Sequence, residues 1–216
     1  MYKMQTINYM WKFKPNENKM FPKEVIHNNL KYFKNFTIVT PEVLEKFLVN
    51  DDFPNLLELF NKIPHWVIKA DLGRLLFIYF NGGLYSDVDC FINKKFNTHL
   101  DKHNILLFIE KRCESVNNLG PRECKNPENV LRVANYFFAS KETKHPFLKE
   151  VIEECIRRLN HLLTVEKLKT FKQKDILWVC GPDVITTVYH ASKHKYDDIF
   201  LYDRSHLTHK CYGSWR

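Results

Sequence analysis

The chain has 216 residues, 44% of them hydrophobic and 14% aromatic, and its 33 Lys and Arg outnumber 25 Asp and Glu for a formal charge of +8. Seventeen Phe, ten Tyr and four Trp against six Gly exclude a disordered or collagen-like chain, which lacks the apolar surface needed to offset ordering entropy. The length suits one domain with a sizeable core, spanning 1–216 and either standing alone or forming one domain of a longer protein.

Strand and helix patterns alternate along the chain, which predicts an α/β layer architecture. Thr6 to Trp11 reads as a first strand, and Pro22 opens a helix running to about Phe33. Phe36 to Thr40 is a short β-branched strand. Pro41 to Leu48 and Asn55 to Ile63 read as short helices. Val67 to Phe80 is a strongly apolar helix stopped by Asn81-Gly82-Gly83. Leu84 to Ile92 follows as a strand carrying two aspartates, and then come strands at Asn104 to Ile109 and Asn135 to Ser140. Lys111 to Asn129 is the least regular stretch and reads as a loop. Pro146 to Leu163 is an amphipathic helix and Ile176 to Cys180 a short strand. Gly181-Pro182 turns the chain into a helix over Asp183 to Ala191, and Ile199 to Tyr202 is the last strand.

The longest apolar run, Leu75 to Phe80, is far shorter than the ~20 residues of a membrane span. Lys12 and Lys14 follow the N-terminus with no apolar segment before them, so a cytoplasmic setting without a signal peptide is expected. Six cysteines (Cys90, Cys113, Cys124, Cys155, Cys180 and Cys211) form no C-x-x-C pair, which predicts free thiols and no zinc site. The positive charge favours anionic ligands, yet the lysines are spread along the chain rather than concentrated on one element.

The chemistry concentrates between Ala70 and Asp89. Asp71 and Arg74 lie three apart on one helical face at the edge of an apolar helix, the spacing of an intrahelical ion pair. Asp87 and Asp89 alternate on a strand-like segment, so both carboxylates point to one side. Such a pair repels unless a cation or hydrogen-bond donors compensate it, and hard divalent ions such as Mg²⁺ or Mn²⁺ suit oxygen ligands. Three enzyme chemistries use Asp-x-Asp. Haloacid-dehalogenase-type phosphatases want Thr or Val four residues past the first Asp, where Phe91 stands; palm-type nucleotidyltransferases want a Gly-Ser well upstream, and Gly82-Gly83 sits too close. Metal-dependent sugar-nucleotide transferases fit.

Ala70-Asp71-x-x-Arg74 followed by Gly82-Gly83-x-Tyr85-x-Asp87-x-Asp89 resembles the signature of DXD glycosyltransferases of the GT-A fold, in the group with Och-type mannosyltransferases, capsular sugar transferases and glucosylating toxins. The opening strand ending in Trp11 is similar to that group's first strand. The stretch from Asn135 through Ala139-Ser140 to His145-Pro146, then Gly181-Pro182, and His209 with Gly213-Ser214-Trp215 add ordered matches over nearly the whole chain. Gly73 departs from the pattern, since the group usually has a larger residue there; glycine inside a helix costs about 1 kcal/mol against alanine and either makes room for a ligand or is merely tolerated.

The resemblance implies a GT-A-like single catalytic domain with a mixed, mostly parallel central sheet flanked by helices. It implies transfer of a hexose-like sugar from a nucleotide diphosphate donor, UDP-linked, to a glycan or protein hydroxyl, with retention of configuration. Asp87, Asp89 and His209 would hold Mn²⁺ or Mg²⁺, with His206 the substitute for His209. Trp11 would stack on the uracil, Asp71 and Arg74 would grip the donor sugar, and Ser214 and Trp215 would touch the diphosphate. Tyr85 would pack beside the site, and Lys210 and Arg204 would add positive charge. An inverting reaction would need a carboxylate base, for which Asp183 is the candidate. A phosphohydrolase carrying Asp-x-Asp, or a basic nucleic-acid-binding domain without catalysis, are the alternative readings; nucleic acid is otherwise not an expected partner.

Overall fold

The computed structural model describes residues 5–16, 20–94, 102–113 and 130–211. The chain runs through β1 (Thr6–Met10), α1 (Lys23–Asn29), β2 (Asn35–Val39), α2 (Pro41–Glu45), α3 (Leu56–Lys62) and α4 (Trp66–Asn81). Then follow β3 (Gly83–Ser86), β4 (Cys90–Ile92), β5 (Ile105–Arg112), β6 (Leu131–Val133), β7 (Phe137–Ser140) and α5 (Pro146–Asn160). The last elements are α6 (Gln173–Val179), α7 (Pro182–Ser192), β8 (Ile199–Tyr202) and β9 (Leu207–His209).

The main sheet has the order β2-β1-β3-β7-β5-β6, with β8 also paired to β5. β1, β2, β3, β5 and β8 share one direction, and β6 and β7 oppose it. The expected mixed, mostly parallel sheet is therefore present. Side chains alternate between two covered faces. Tyr85, Ile105, Leu107 and Phe138 pack into the core under α4, α5 and α7. Their neighbours Leu84, Leu106, Phe108 and Phe137 pack on the other face, with residues of α1, β4 and β9. Burial on both sides explains why these strands read as continuous apolar runs.

α4 is buried on nearly every side, and its ends are defined by local chemistry. The His65 ring accepts from the Val67 N–H at 3.3 Å at its start. Gly82 (φ 66°) and Gly83 (φ 97°) then turn the chain directly into β3, in a region of backbone space that other residues rarely enter. Gly73, in the middle of α4, has its cleared side occupied by Leu44, whose Cδ2 lies 2.8 Å from where a Cβ would stand. The missing side chain there admits α2, not a ligand.

Three predicted segments differ, and two short strands are not foreseen. Residues 176–180, expected as a strand, belong to α6; a short apolar run does not separate strand from buried helix by periodicity. Gly181 permits the tight α6–α7 turn, since a Cβ there would lie 2.7 Å from the Leu177 backbone. The segment 84–92 is two strands in two sheets, because Asp87-Val88-Asp89 forms a turn between β3 and β4. β5 extends to Arg112 into the expected loop, whose residues 114–129 lie outside the described residues. β6 and β9 are unpredicted, each only three residues long.

Candidate active site

β1 and β3 run parallel and end at the same edge of the sheet, so Trp11 and Asp87 emerge there together. Ligands in open α/β sheets bind outside the carboxyl ends of the strands. A cleft of about 610 Å³ opens at this edge, and Trp11, Asp71, Arg74, Tyr85, Asp87, Asp89 and His209 all line it.

Asp87 leaves β3 and is fixed by its backbone. Its N–H donates to the Tyr136 carbonyl at 2.8 Å, and its carbonyl accepts from the Cys90 N–H at 3.1 Å. The side chains at 87 and 89 converge through this turn, not through the strand alternation expected from the sequence. Arg74 on α4 forms ion pairs with Asp71 and, at 2.8 Å, with Asp87 Oδ1, and donates to the Asn135 carbonyl at 3.1 Å. Its guanidinium lies 4.7 Å above the Tyr85 ring, and the Tyr85 hydroxyl donates to the same Asp87 Oδ1. Asp71 also accepts from Asn135 Nδ2 at 3.4 Å. Burial pushes the Asp71 carboxyl up to about 7, with Arg74 opposing and Asp87 adding to the rise. Burial likewise raises Asp87 above the usual carboxylate range, against the pull of Arg74. Burial alone would lower Arg74, but Asp71 and Asp87 outweigh it and hold the guanidinium firmly charged.

His209 reaches the site because β9 pairs antiparallel with β4, setting His209 opposite Cys90. The buried Asn29 anchors this small sheet: its amide donates to the Cys90 carbonyl and its oxygen accepts from the Ile92 N–H, both at 3.0 Å. His209 Nε2 lies 3.1 Å from Asp89 Oδ1, and the Tyr136 ring stacks on the imidazole at 4.0 Å between centroids. Burial would lower the His209 pKa, but the Asp89 hydrogen bond and the charges of Asp87 and Asp89 raise it above its ordinary value.

Asp87, Asp89 and His209 each bring one ligand atom within 4.8 Å of the others. Two carboxylate oxygens and an imidazole form a donor set that fits Mn²⁺ or Mg²⁺, the imidazole favouring Mn²⁺. His206 takes no part in this group; it pairs with Asp203 at 3.6 Å and packs on Tyr202. Lys210 pairs with Glu24 at 3.2 Å, and neither it nor Arg204 lines the cleft. Asp183 is 1% exposed, pairs with Arg132 at 2.6 Å, and does not line the cleft. Its placement suits holding Arg132 and leaves it no access to an incoming hydroxyl. Ser214 and Trp215 lie outside the described residues.

Sequence reasoning does not reach Glu110, Arg132 or Tyr136, which line the cleft. The available signal was weak: a charge at the end of an apolar strand, and one between Leu131 and Val133.

Residues 4–106 match the family model described as a glycosyltransferase sugar-binding region containing DXD motif. The matched stretch is just under half of the chain and contains Asp71, Arg74, Asp87 and Asp89. No curated protein sequence matches it. Among solved structures it is similar to one described as PaToxG glycosyltransferase, at 16% identity and a TM-score of 0.48 over 87% of this chain and 69% of the other. A transferase mutant is similar at 12% identity and a TM-score of 0.45, over 95% of this chain and 93% of the other. Among the described residues no helix is long and apolar enough to cross a membrane.

Proposed function

We propose that the chain is a single catalytic domain that moves a hexose-like sugar from a UDP-linked donor to a hydroxyl acceptor on a glycan or protein, in a divalent-metal-dependent reaction that retains configuration. The observation carrying this reading is the convergence of Asp87, Asp89 and His209, from two distant parts of the chain, beside the buried Arg74 and Asp71 in one cleft.

Asp87, Asp89 and His209 would hold Mn²⁺ or Mg²⁺, which when bound supplies Lewis-acid neutralisation of the leaving diphosphate, worth several kcal/mol. Asp87 has its Oδ1 engaged by Arg74 and Tyr85, which fixes the carboxylate's orientation before any ligand arrives. His209 Nε2 lies 3.1 Å from Asp89 Oδ1, so a proton held between them would have to leave before both atoms could ligate a cation. Trp11 offers a half-buried indole for the uracil. Asp71 and Arg74 present a carboxylate and a guanidinium to the hydroxyls of the donor sugar. Lys12 and Lys14 line the same cleft and add positive charge for the phosphates. Ser214 and Trp215 are assigned to the diphosphate by the resemblance alone.

Calorimetry with UDP and Mn²⁺, followed by a screen of nucleotide sugars for metal-dependent cleavage, tests the reading. Metal-dependent UDP binding and slow cleavage of one donor are expected, both lost in Asp89→Asn while the fold persists. A folded protein that binds neither UDP nor any UDP-sugar in the presence of Mn²⁺ overturns it.

A further inference from the structure

Glu110 lies near the C-terminal end of β5, at the sheet edge where β1 and β3 end, and its side chain lines the cleft. One oxygen, Oε2, is buried and lies 3.1 Å from Arg132 Nε. The side chain as a whole is 29% exposed, and among the described residues no second partner holds its other oxygen, Oε1. Arg132 is in turn gripped by Asp183, 2.6 Å from its NH2, in the first turn of α7. The Arg132 side chain is only 10% exposed and that of Asp183 1%, so the two form a desolvated bracket behind Glu110. Glu110 is also close enough to His209 and Tyr136 for its charge to act on both. It nevertheless stands outside the three-residue cation group. The residues 4–106 that match the DXD family model end before Glu110, Arg132 and Asp183.

We propose that Glu110 is a catalytic residue that receives the acceptor: Oε1 accepts a hydrogen bond from the attacking hydroxyl and aims its oxygen at the donor sugar, while Arg132 and Asp183 are positioning residues. The inference rests on the nucleotide-sugar reading above. A carboxylate pinned through one oxygen and open through the other is an acceptor-only group, the complement of an alcohol O–H. In the transfer the acceptor oxygen bonds to the sugar C1 as the bond from C1 to the diphosphate oxygen breaks. The electron pair leaves with the diphosphate, and the hydroxyl proton passes along its hydrogen bond to Glu110 Oε1, which gives it up to water after the transfer. Glu110 thus aims the acceptor oxygen, takes its proton and is regenerated in each turnover.

Glu110→Gln is the decisive variant. Arg132 donates only, so the amide oxygen must face Arg132 and the NH₂ must face the cleft, placing a donor where an acceptor is needed without changing shape. UDP binding with Mn²⁺, measured by calorimetry, is expected to stay within about twofold of wild type. Turnover of the cleaved UDP-sugar is expected to fall about 10- to 100-fold, with water as acceptor and with glycerol as a polyol probe alike. Glu110→Asp, which keeps the carboxylate, is expected to recover part of the rate. Asp183→Asn is expected to lower kcat without raising the donor KM, a split that a purely structural defect does not produce. Wild-type turnover in Glu110→Gln overturns the proposal. So does a parallel loss of UDP binding, which would assign Glu110 to the donor or the cation instead. If the wild-type protein binds UDP in neither the presence nor the absence of Mn²⁺, the donor reading itself has failed, and the role of Glu110 falls with it.

Discussion

His209 and Asp89 are joined by a strand pairing, not by chain proximity: β9 lies against β4, the Lys210 N–H donates to the Asp89 carbonyl at 3.0 Å, and the His209 ring reaches the Asp89 carboxylate at 3.1 Å. β9 is thereby registered on the acidic turn. The register is held from behind by Asn29, which bonds to both Cys90 and Ile92.

This contact predicts how metal affinity depends on pH. The free protein holds a proton on His209 to higher pH than an ordinary histidine does, since Asp89 and Asp87 outweigh the effect of burial. A cation must displace that proton, so Mn²⁺ affinity rises with pH while His209 is titrating and levels off above its pKa. Calorimetric titration between about pH 6 and pH 8 is expected to show the increase, approaching tenfold per unit at its steepest. His209→Ala is expected to weaken Mn²⁺ binding at least about tenfold and to abolish this pH dependence.

Arg74 neutralises two carboxylates that burial disfavours. Removing it leaves buried Asp71 without its ion-pair partner, and leaves only His209 to offset the effect of burial on Asp87. Arg74→Ala is therefore expected to cost about 3–5 kcal/mol, read as a lowered denaturation midpoint, and to abolish turnover. Arg74→Lys keeps the charge but not the planar fork that bridges Asp71, Asp87 and the Asn135 carbonyl, and a smaller loss of stability is expected from it.

Much of this site was legible because it is local. The Asp71–Arg74 spacing announces the ion pair, and the two glycines followed by Tyr85, Asp87 and Asp89 lie within one helix–turn–strand unit. His209 stands ahead of His206 through the resemblance, not through any local spacing, and the placement of Glu110, Arg132 and Tyr136 at the cleft depends on long-range pairing, in which β9 finds β4 and β6 finds β5. Three-residue strands carry too little periodicity to be seen. For α6, the apolar run Ile176 to Val179 suits either state, and tertiary packing against α7 decides. Asp183 illustrates the converse limit: its place after Gly181-Pro182 is evident from the sequence, but its partner Arg132 is not.

The two kinds of glycine in and after α4 separate under substitution. At Gly83, φ is 97° and a new Cβ would lie 3.1 Å from Asn8 Nδ2, which donates to the Leu84 carbonyl at 2.8 Å. Gly83→Ala is expected to destabilise by about 1–3 kcal/mol through backbone strain alone. At Gly73 the crowding atom is the end of the flexible Leu44 side chain, and alanine's helix propensity returns about 1 kcal/mol. Gly73→Ala is expected to cost less than Gly83→Ala, and chemical denaturation of the two variants checks the order.

Trp11 separates a nucleoside contact from a phosphate contact. Its N–H bonds to the Val39 carbonyl at 3.0 Å, fixing the residue at the end of β1, and its ring packs against Phe21 at 5.1 Å while lining the cleft. Stacking on a base is worth about 1–3 kcal/mol. Trp11→Ala is thus expected to weaken UDP binding by about 5- to 150-fold in the presence of Mn²⁺. Pyrophosphate has no base, and its affinity is expected to stay the same in the variant. Equal losses for UDP and pyrophosphate would mean that Trp11 shapes the cleft without touching the base, and the stacking assignment would have to be withdrawn.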